Sequence, residues 1–104
     1  MKYYRHLYIG QSIKQTEMIR MRIRMNRIPL LYYIITLAQN EDQLEIMSAA
    51  MLKQPYYRKK QLCIVGVASN YEESLELVQQ ILQDTIRETE STDMKSYLKA
   101  GMDG

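Results

Sequence analysis

The length and composition of the chain are those of one ordinary globular domain, with 104 residues that are 46% hydrophobic and 25% charged and a formal net charge of +2. No apolar run approaches the ~18 residues that cross a membrane, and the first ten residues lack the apolar segment and cleavage site of a signal peptide. We therefore expect a single domain in the cytoplasm.

The charges are distributed unevenly along the chain. Residues 1–30 carry seven Lys and Arg against one acidic residue, a net +6, whereas residues 63–104 carry three against eight Asp and Glu, a net −5. The residues between them are near balance, with four basic and three acidic side chains. Such asymmetry in charge gives information about possible binding partners and not about the fold.

The first predicted element is a strand over Lys2–Ile9, because the stretch "KYYRHLYI" alternates between two faces. His6 is one residue of this strand, and Gly10 ends it. Ser12, followed three residues later by Gln15, forms a capping-box pattern. This pattern predicts that a helix begins directly after the strand.

The next stretch, "MIRMRIRMNRI" at residues 18–28, fits two periods at once. As a strand it would place its apolar side chains on one face and most of its arginines on the other. As a helix it gathers the same apolar side chains into one broad arc opposite Arg20, Arg24 and Arg27. Met and Arg are good helix formers, and the proline that follows requires an extended residue before it. These preferences favour a helix over residues 12–27.

Two further strands and two further helices are predicted downstream. The stretches "PLLYYIITLAQ" (29–39) and "QLCIVGVAS" (61–69) are apolar on both faces, which is typical of strands covered on both sides of a sheet. Asn40 is predicted to cap a second helix over residues 41–53, and Asn70 to cap a third. The buried stripe of the third helix is predicted to be Tyr71, Leu75, Val78, Leu82 and Ile86.

The alternation of strands and helices predicts an α/β fold with a small three-stranded, mostly parallel sheet in β-α-β-α-β-α order. Residues 1–90 would form the single domain, and residues 91–104 a tail or a short docked segment. Three helices are few for a sheet whose second and third strands are predicted to be buried on both faces. We therefore expect a second subunit to supply part of the missing cover.

A resemblance to other proteins lies in "LKQPYYRK" and "IVGVASNYEESLELV". Over about residues 30–86 the chain resembles short uncharacterised proteins of anaerobic Gram-positive bacteria, which pair such a loop with such a strand, turn and helix. The resemblance implies a natural small bacterial protein. It brings no activity, ligand or site residues with it.

The carboxyl ends of the predicted strands offer a candidate anion site. In a parallel sheet Ser12, Asn40 and Asn70 would meet at one rim, where helix N-termini point free N–H groups, although plain helix capping requires the same residue types. The sequence shows no nucleophile with a placed base, because His6 lies on a strand that is predicted at the edge of the sheet and Cys63 lies among apolar neighbours. We expect no catalysis and no bound metal or cofactor.

The first helix is the main candidate for a binding surface. We expect a two-fold homodimer, and thus a protein-interaction module, whose core is Met18, Met21, Met25 and Ile28. Opposite charges would set its register, with Arg20, Arg24 and Arg27 meeting Glu76, Asp84 or Glu88 within or between chains.

Nucleic-acid binding is the alternative function. The same three arginines would contact phosphates together with a second basic segment made of Lys53, Tyr56, Tyr57, Arg58, Lys59 and Lys60. A solvated helix face, with tyrosines that close the end of the core, would explain these residues without any ligand.

Overall fold

The structure is a computed structural model that describes residues 1–58 and 61–103. Its strands are β1 (Lys2–Ile9), β2 (Tyr33–Leu37), β3 (Leu44–Ser48), β4 (Cys63–Ala68) and β5 (Met102–Asp103). Its helices are α1 (Thr16–Arg24), a 3-10 helix (Ala49–Lys53), α2 (Pro55–Arg58), α3 (Tyr71–Thr89) and α4 (Met94–Lys99). Within the described ranges, none of the helices is long and apolar enough to cross a membrane.

The strands form one mixed sheet in the order β3-β2-β4-β1-β5. β1 and β4 run parallel, whereas β2 is antiparallel to β3 and β4, and β5 is antiparallel to β1. The α/β class is confirmed, but the prediction of a three-stranded, mostly parallel sheet is wrong. β2 and β4 lie at the centre of the sheet, and Ile34, Ile35, Val65 and Val67 are fully buried there. These two strands are therefore covered on both faces, as predicted.

The prediction of a helix over residues 41–53 is also wrong, and it accounts for the error in the sheet. The N–H of Ala38 donates to the carbonyl of Gln43 at 3.2 Å and closes a hairpin, so β3 returns beside β2. Asn40 caps a turn instead of a helix, because its side chain accepts the N–H of Asp42 at 2.8 Å. Such turns and helix caps use the same residue types. Spacing alone therefore does not distinguish them.

The ambiguous segment after β1 is a helix, as predicted, but a shorter one. α1 begins at residue 16, and its N-cap residue Gln15 makes no side-chain cap hydrogen bond. Ser12 therefore does not cap this helix. Ile19 and Ile23 face the sheet and are 4% and 2% exposed. Asn26 follows the helix with a φ of 57°, a left-handed conformation that asparagine tolerates better than most residues.

Helices cover both faces of the sheet. α1 and the 3-10 helix lie over one face, in a cluster that includes Leu7, Ile19, Ile23, Ile34 and Ala49. α3 and α4 lie over the other face, in a cluster that includes Tyr4, Ile35, Leu77, Ile81 and Leu98. Leu98 of α4 is fully buried, so the segment after residue 91 contributes to this second cluster. The basic α1 and the acidic α3 thus lie on opposite sides of the sheet.

α3 begins at its predicted cap but buries a different stripe. The side chain of Asn70 accepts the N–H of Glu73 at 2.8 Å, which confirms the cap. The predicted stripe is wrong, because Tyr71, Leu75 and Ile86 are 51%, 44% and 45% exposed. The buried residues of the helix are instead Ser74, Leu77, Ile81 and Thr85.

Two small polar residues explain this difference. The hydroxyl of Ser74 donates to the carbonyl of Tyr71 at 2.6 Å, and the hydroxyl of Thr85 donates to the carbonyl of Ile81 at 2.7 Å. Both hydroxyls are satisfied within their own helix and can be buried without an unpaired polar atom. A pattern built from apolar residues alone assigns such positions to the surface.

Candidate binding surfaces

The outer side of α1 carries a row of exposed methionines. Met18, Met21 and Met25 are 41%, 58% and 52% exposed. Because successive residues of a helix turn by ~100°, this methionine row lies on the side of α1 away from Ile19 and Ile23. The helix therefore places its stiff β-branched side chains against the sheet and its flexible methionines in solvent, where methionine suits adaptable contacts.

Other residues predicted for this surface lie elsewhere. Ile28 is 8% exposed and belongs to the core cluster under α1, so the core accounts for it without a second chain. The guanidinium carbon of Arg24 lies 5.7 Å from the ring centroid of Tyr3, at cation–π distance. Arg20 is half-buried and lines a shallow cleft together with Arg24 and Tyr3. By their positions at ~100° per residue, the two arginines lie between the isoleucine side of α1 and the methionine row.

The acidic residues of α3 do not meet those arginines within one chain. Glu76, Asp84 and Glu88 are the predicted partners, but α3 and α1 lie on opposite faces of the sheet. Asp84 instead accepts the hydroxyl of Tyr8 at 2.6 Å and pairs with Arg87 at 3.0 Å. Burial, and next the bond to Asp84, raise the pKa of the Tyr8 hydroxyl well above its ordinary value.

A groove beside α1 brings together three residues of the predicted basic patch. It has a volume of about 400 Å³ and lies between the segment that follows α1 and the segment formed by the 3-10 helix and α2. Its lining includes Arg27, Lys53, Tyr57, Ile28, Leu52 and Leu62. None of the described lining residues is acidic. The groove can therefore receive an anionic group together with a planar or apolar one.

Tyr56, another residue of the predicted basic patch, lies next to Tyr57 but is not among the described residues that line this groove. Tyr56 is 61% exposed, and its ring meets that of Tyr57 edge to face with centroids 5.0 Å apart. Arg58 is the last residue of α2. Lys59 and Lys60 lie outside the described residues. The groove is therefore the place where Arg27, Lys53 and Tyr57 of the predicted basic patch meet.

The rim at the ends of β1 and β4 holds a carboxylate. Ser12 and Asn70 are neighbours there because the two strands are parallel and adjacent. The Glu73 carboxylate accepts the N–H and hydroxyl of Ser12 at 3.1 and 2.9 Å, and those of Ser69 at 2.9 and 3.1 Å. Burial alone would raise the pKa of Glu73, but these hydrogen bonds outweigh it and hold that pKa below its ordinary value. This fixed negative charge opposes the binding of an anion.

Asn40 lies at the other end of the sheet. β2 is antiparallel to β4, so its carboxyl end lies beside the start of β4, where the side chain of Gln39 donates to the carbonyl of Gln61 at 3.5 Å. Asn40 lines a second groove, of about 340 Å³, with Glu45 and Tyr56. The predicted rim of three polar residues therefore does not assemble, because the sheet is mixed rather than parallel.

The two residues considered for catalysis or metal binding lie apart. His6 is exposed, and its ring meets that of Tyr4 edge to face with centroids 6.0 Å apart. Cys63 is half-buried beside the cluster under α3. Over residues 1–58 and 61–103, no group of three His, Cys, Asp or Glu side chains is arranged to hold a metal ion.

One surface was missed by the sequence analysis, the outer stripe of α3, which consists of Tyr71, Leu75, Val78, Leu82 and Ile86. The signal for it is present in the sequence. Apolar residues of α3 extend from Leu77 to Ile86 around ~180° of the helix, which is wider than one buried stripe requires. In the Glu73 cluster, by contrast, the bonds from Ser69 are local, but the bonds from Ser12 join residues 61 positions apart and have no local signal.

Comparisons with known proteins give no match, whether with protein-family models, with curated proteins or with solved structures.

Proposed function

We propose that the protein is a small cytoplasmic protein-interaction module that associates with copies of itself through the methionine row of α1. The exposure of Met18, Met21 and Met25, at 41%, 58% and 52%, is the observation that carries the proposal. Burial between chains removes apolar area from water, which contributes roughly 25 cal/mol per Å². A single exposed apolar residue needs no explanation, but a row on one side of a helix is typical of an interaction surface.

Gel filtration with light scattering tests this proposal through the molecular mass in solution. The wild-type protein is expected to exceed the 12.3 kDa of one chain. The double variant Met21→Glu with Met25→Glu is expected to return to that mass, because two carboxylates cannot be buried unpaired in an apolar contact. A wild type that stays monomeric at high concentration, or a double variant that keeps the wild-type mass, would overturn the proposal.

A matched control separates loss of the contact from a general effect of charge. Gln80→Glu with Thr92→Glu adds the same two negative charges at exposed positions outside the methionine row and outside the outer stripe of α3. This control should keep the wild-type mass. Thermal melts of both variants check that the fold is retained.

A second candidate function is nucleic-acid binding, and the groove beside α1 favours it. Arg27 and Lys53 supply two cations, and Tyr57 supplies a ring on which a base can stack, in a groove whose described lining has no acidic residue. The acidic α3 lies on the other face of the sheet, so it does not oppose a polyanion at this groove.

Fluorescence anisotropy with labelled single-stranded RNA and DNA tests this second function, after the 260/280 nm ratio of the purified protein has been read. Arg27→Gln with Lys53→Gln should weaken binding about tenfold or more, because phosphate contacts are lost. The control Arg87→Gln with Lys99→Gln removes the same charge from exposed positions on the α3 side. Equal losses in the two variants would mean that only net charge matters and would exclude the groove.

A further inference from the structure

The outer stripe of α3 is an apolar surface that the core uses only in part, through Val78. Tyr71, Leu75 and Ile86 are 51%, 44% and 45% exposed, and Val78 and Leu82 are half-buried between them. The five residues follow one another at spacings of four, three, four and four. At ~1.5 Å per residue this stripe is about 22 Å long. The spacing is the one along which a second helix packs.

The methionine row of α1 has matching spacing. Met18, Met21 and Met25 are separated by three and four residues. α1 has nine residues and is about 13 Å long, so its row fits within the length of the outer stripe of α3. Rows spaced at three and four residues can interlock when two helices cross at a shallow angle.

The net charges beside the two rows are opposite in sign. By their positions at ~100° per residue, Arg22 lies on one side of the methionine row and Arg24 on the other, with Glu17 beside Arg24 in the first turn, and all three are exposed, so the net charge there is positive. Glu72 and Glu76 are exposed next to the outer stripe of α3. A contact between α1 and α3 therefore brings surfaces of opposite net charge together, whereas a two-fold contact between two α1 helices brings together two surfaces of net positive charge, with Glu17 offsetting part of it.

One chain cannot make this contact with itself, because its α1 and α3 lie on opposite faces of the sheet. Between copies, α1 of one chain and α3 of the next form a heterologous interface. Each added copy leaves one α1 and one α3 free. Such contacts form an open row of copies, or a ring if the rotation between neighbours closes.

We infer that copies of this protein join head to tail, with the methionine row of α1 on one copy packed against the outer stripe of α3 on the next. The inference rests on the proposed self-association and replaces the two-fold dimer with a directional assembly. The stripe, the row and the charges beside them are all used by one contact, and the chain itself supplies both halves.

Mixing two variants tests the direction of the assembly. Met21→Glu with Met25→Glu removes the α1 half of the contact and leaves α3 intact. Leu75→Gln with Ile86→Gln removes the α3 half without adding charge and leaves α1 intact; both positions are nearly half exposed, so the fold should be retained. Each variant alone should have the mass of one chain. An equimolar mixture should have the mass of two chains and no more, because each variant retains one competent surface.

The outcomes separate the inference from the proposed function. An α3 variant that assembles as the wild type does would overturn the head-to-tail contact while leaving self-association through α1 in place. A mixture that stays monomeric would also overturn the contact. A wild type that never exceeds one chain would overturn both the inference and the proposed function.

The salt dependence of assembly is an independent test of the contact between α1 and α3. Raising the ionic strength from about 0.05 M to about 0.5 M should increase the protein concentration needed for half assembly several-fold, because the opposite charges are screened. A two-fold contact between two α1 helices, whose net charges are both positive, would instead be strengthened by screening. Unchanged or stronger assembly at high salt would therefore overturn the inference.

Discussion

α1 and α3 cover opposite faces of one sheet, but different contacts hold them in place. α1 has nine residues, no side-chain cap and two buried isoleucines, Ile19 and Ile23. α3 has 19 residues, is capped by Asn70, and is joined to β1 by the hydrogen bond from Tyr8 to Asp84 at 2.6 Å. The short helix therefore depends mainly on apolar packing, with one cation–π contact from Arg24 to Tyr3, whereas the long helix combines packing with a helix cap and a hydrogen bond to the sheet.

Both helices nevertheless carry more apolar side chains than their contact with the sheet uses. In α1 the surplus is the methionine row, and in α3 it is the outer stripe. The burial of Ser74 and Thr85 in α3 leaves Leu75 and Ile86 outside. The comparison shows that the apolar content of a helix does not identify its buried side. The surplus is where we propose that a second copy packs.

The largest effect is expected where each helix meets the sheet. Ile23→Ala and Ile81→Ala, at 2% and 0% exposure, should each lower the free energy of unfolding by about 2–4 kcal/mol, because each leaves a cavity. Met21→Ala and Leu75→Ala should lower it by less than about 1 kcal/mol in the monomer. Urea denaturation at low protein concentration measures all four. Equal costs for the inner and outer positions would contradict the assignment of the buried sides.

A smaller effect is expected at the hydrogen bond between Tyr8 of β1 and Asp84 of α3. Tyr8→Phe removes the donor to Asp84 and should lower the free energy of unfolding by about 1–2 kcal/mol. Because the folded pKa of Tyr8 is raised above 10, its contribution is present below pH 10 and is lost as pH rises further. Wild-type stability should therefore fall more steeply above pH 10 than that of the variant. If the stability of the wild type and of the variant fell equally above pH 10, the hydrogen bond from Tyr8 to Asp84 would be contradicted.

The N-terminus of α3 should respond to acid. Glu73→Gln is expected to lower the free energy of unfolding at pH 7 by about 1 kcal/mol, because charge-assisted hydrogen bonds to Ser12 and Ser69 are weakened. The folded pKa of Glu73 lies below its ordinary value of 4.5, so this contribution is present above pH 4.5 and is lost as pH falls further. Denaturation at pH 7 and at about pH 3 should show the difference between the two proteins shrinking in acid.

Gly10 offers a check on the same cluster. A Cβ added at this position would overlap the Glu73 carboxylate. Gly10→Ala should therefore destabilise the wild type more than it destabilises the Glu73→Ala variant, where the space is free. Additive effects of the two changes would show that Gly10 and Glu73 are independent.

The smallest effect is expected on the outer side of α1. Arg24→Ala should lower the free energy of unfolding by about 0.5 kcal/mol, because its guanidinium lies over the ring of Tyr3 at an exposed site. Arg22→Ala, which removes the same charge from an exposed position of the helix, is the control and should cost less. Identical costs would leave charge, rather than the ring contact, as the cause.

Much of the fold was predictable from local patterns. The strands at residues 2–9, 33–37 and 63–68 follow from alternation or from continuous apolar runs, and α3 follows from the cap at Asn70. The segment over residues 41–53 was not predictable, because Asn40 and Gln43 fit both a helix cap and a hairpin loop. The choice depends on whether β3 finds a neighbour in β2, which is a long-range property.

The candidate surfaces were predicted in part. The sequence identified the methionines of α1 and the basic residues Arg27, Lys53 and Tyr57, but not that the last three line one groove. Lys53 and Arg27 are 26 residues apart, and their proximity follows from two connections that cross the same face of the sheet. The spacing of these residues along the chain does not predict that their side chains line the same groove.

The sequence by itself determined the α/β class, the two central strands, the cap of α3 and the separation of basic from acidic charge. These features depend on residue type and on neighbours within one turn or one strand. The tertiary structure alone decided strand direction, the buried side of each helix and the contact between Glu73 and Ser12 at the rim. Those depend on which surfaces meet across the sheet, where the burial of an apolar side chain or the pairing of a polar one is determined by residues far away in the chain.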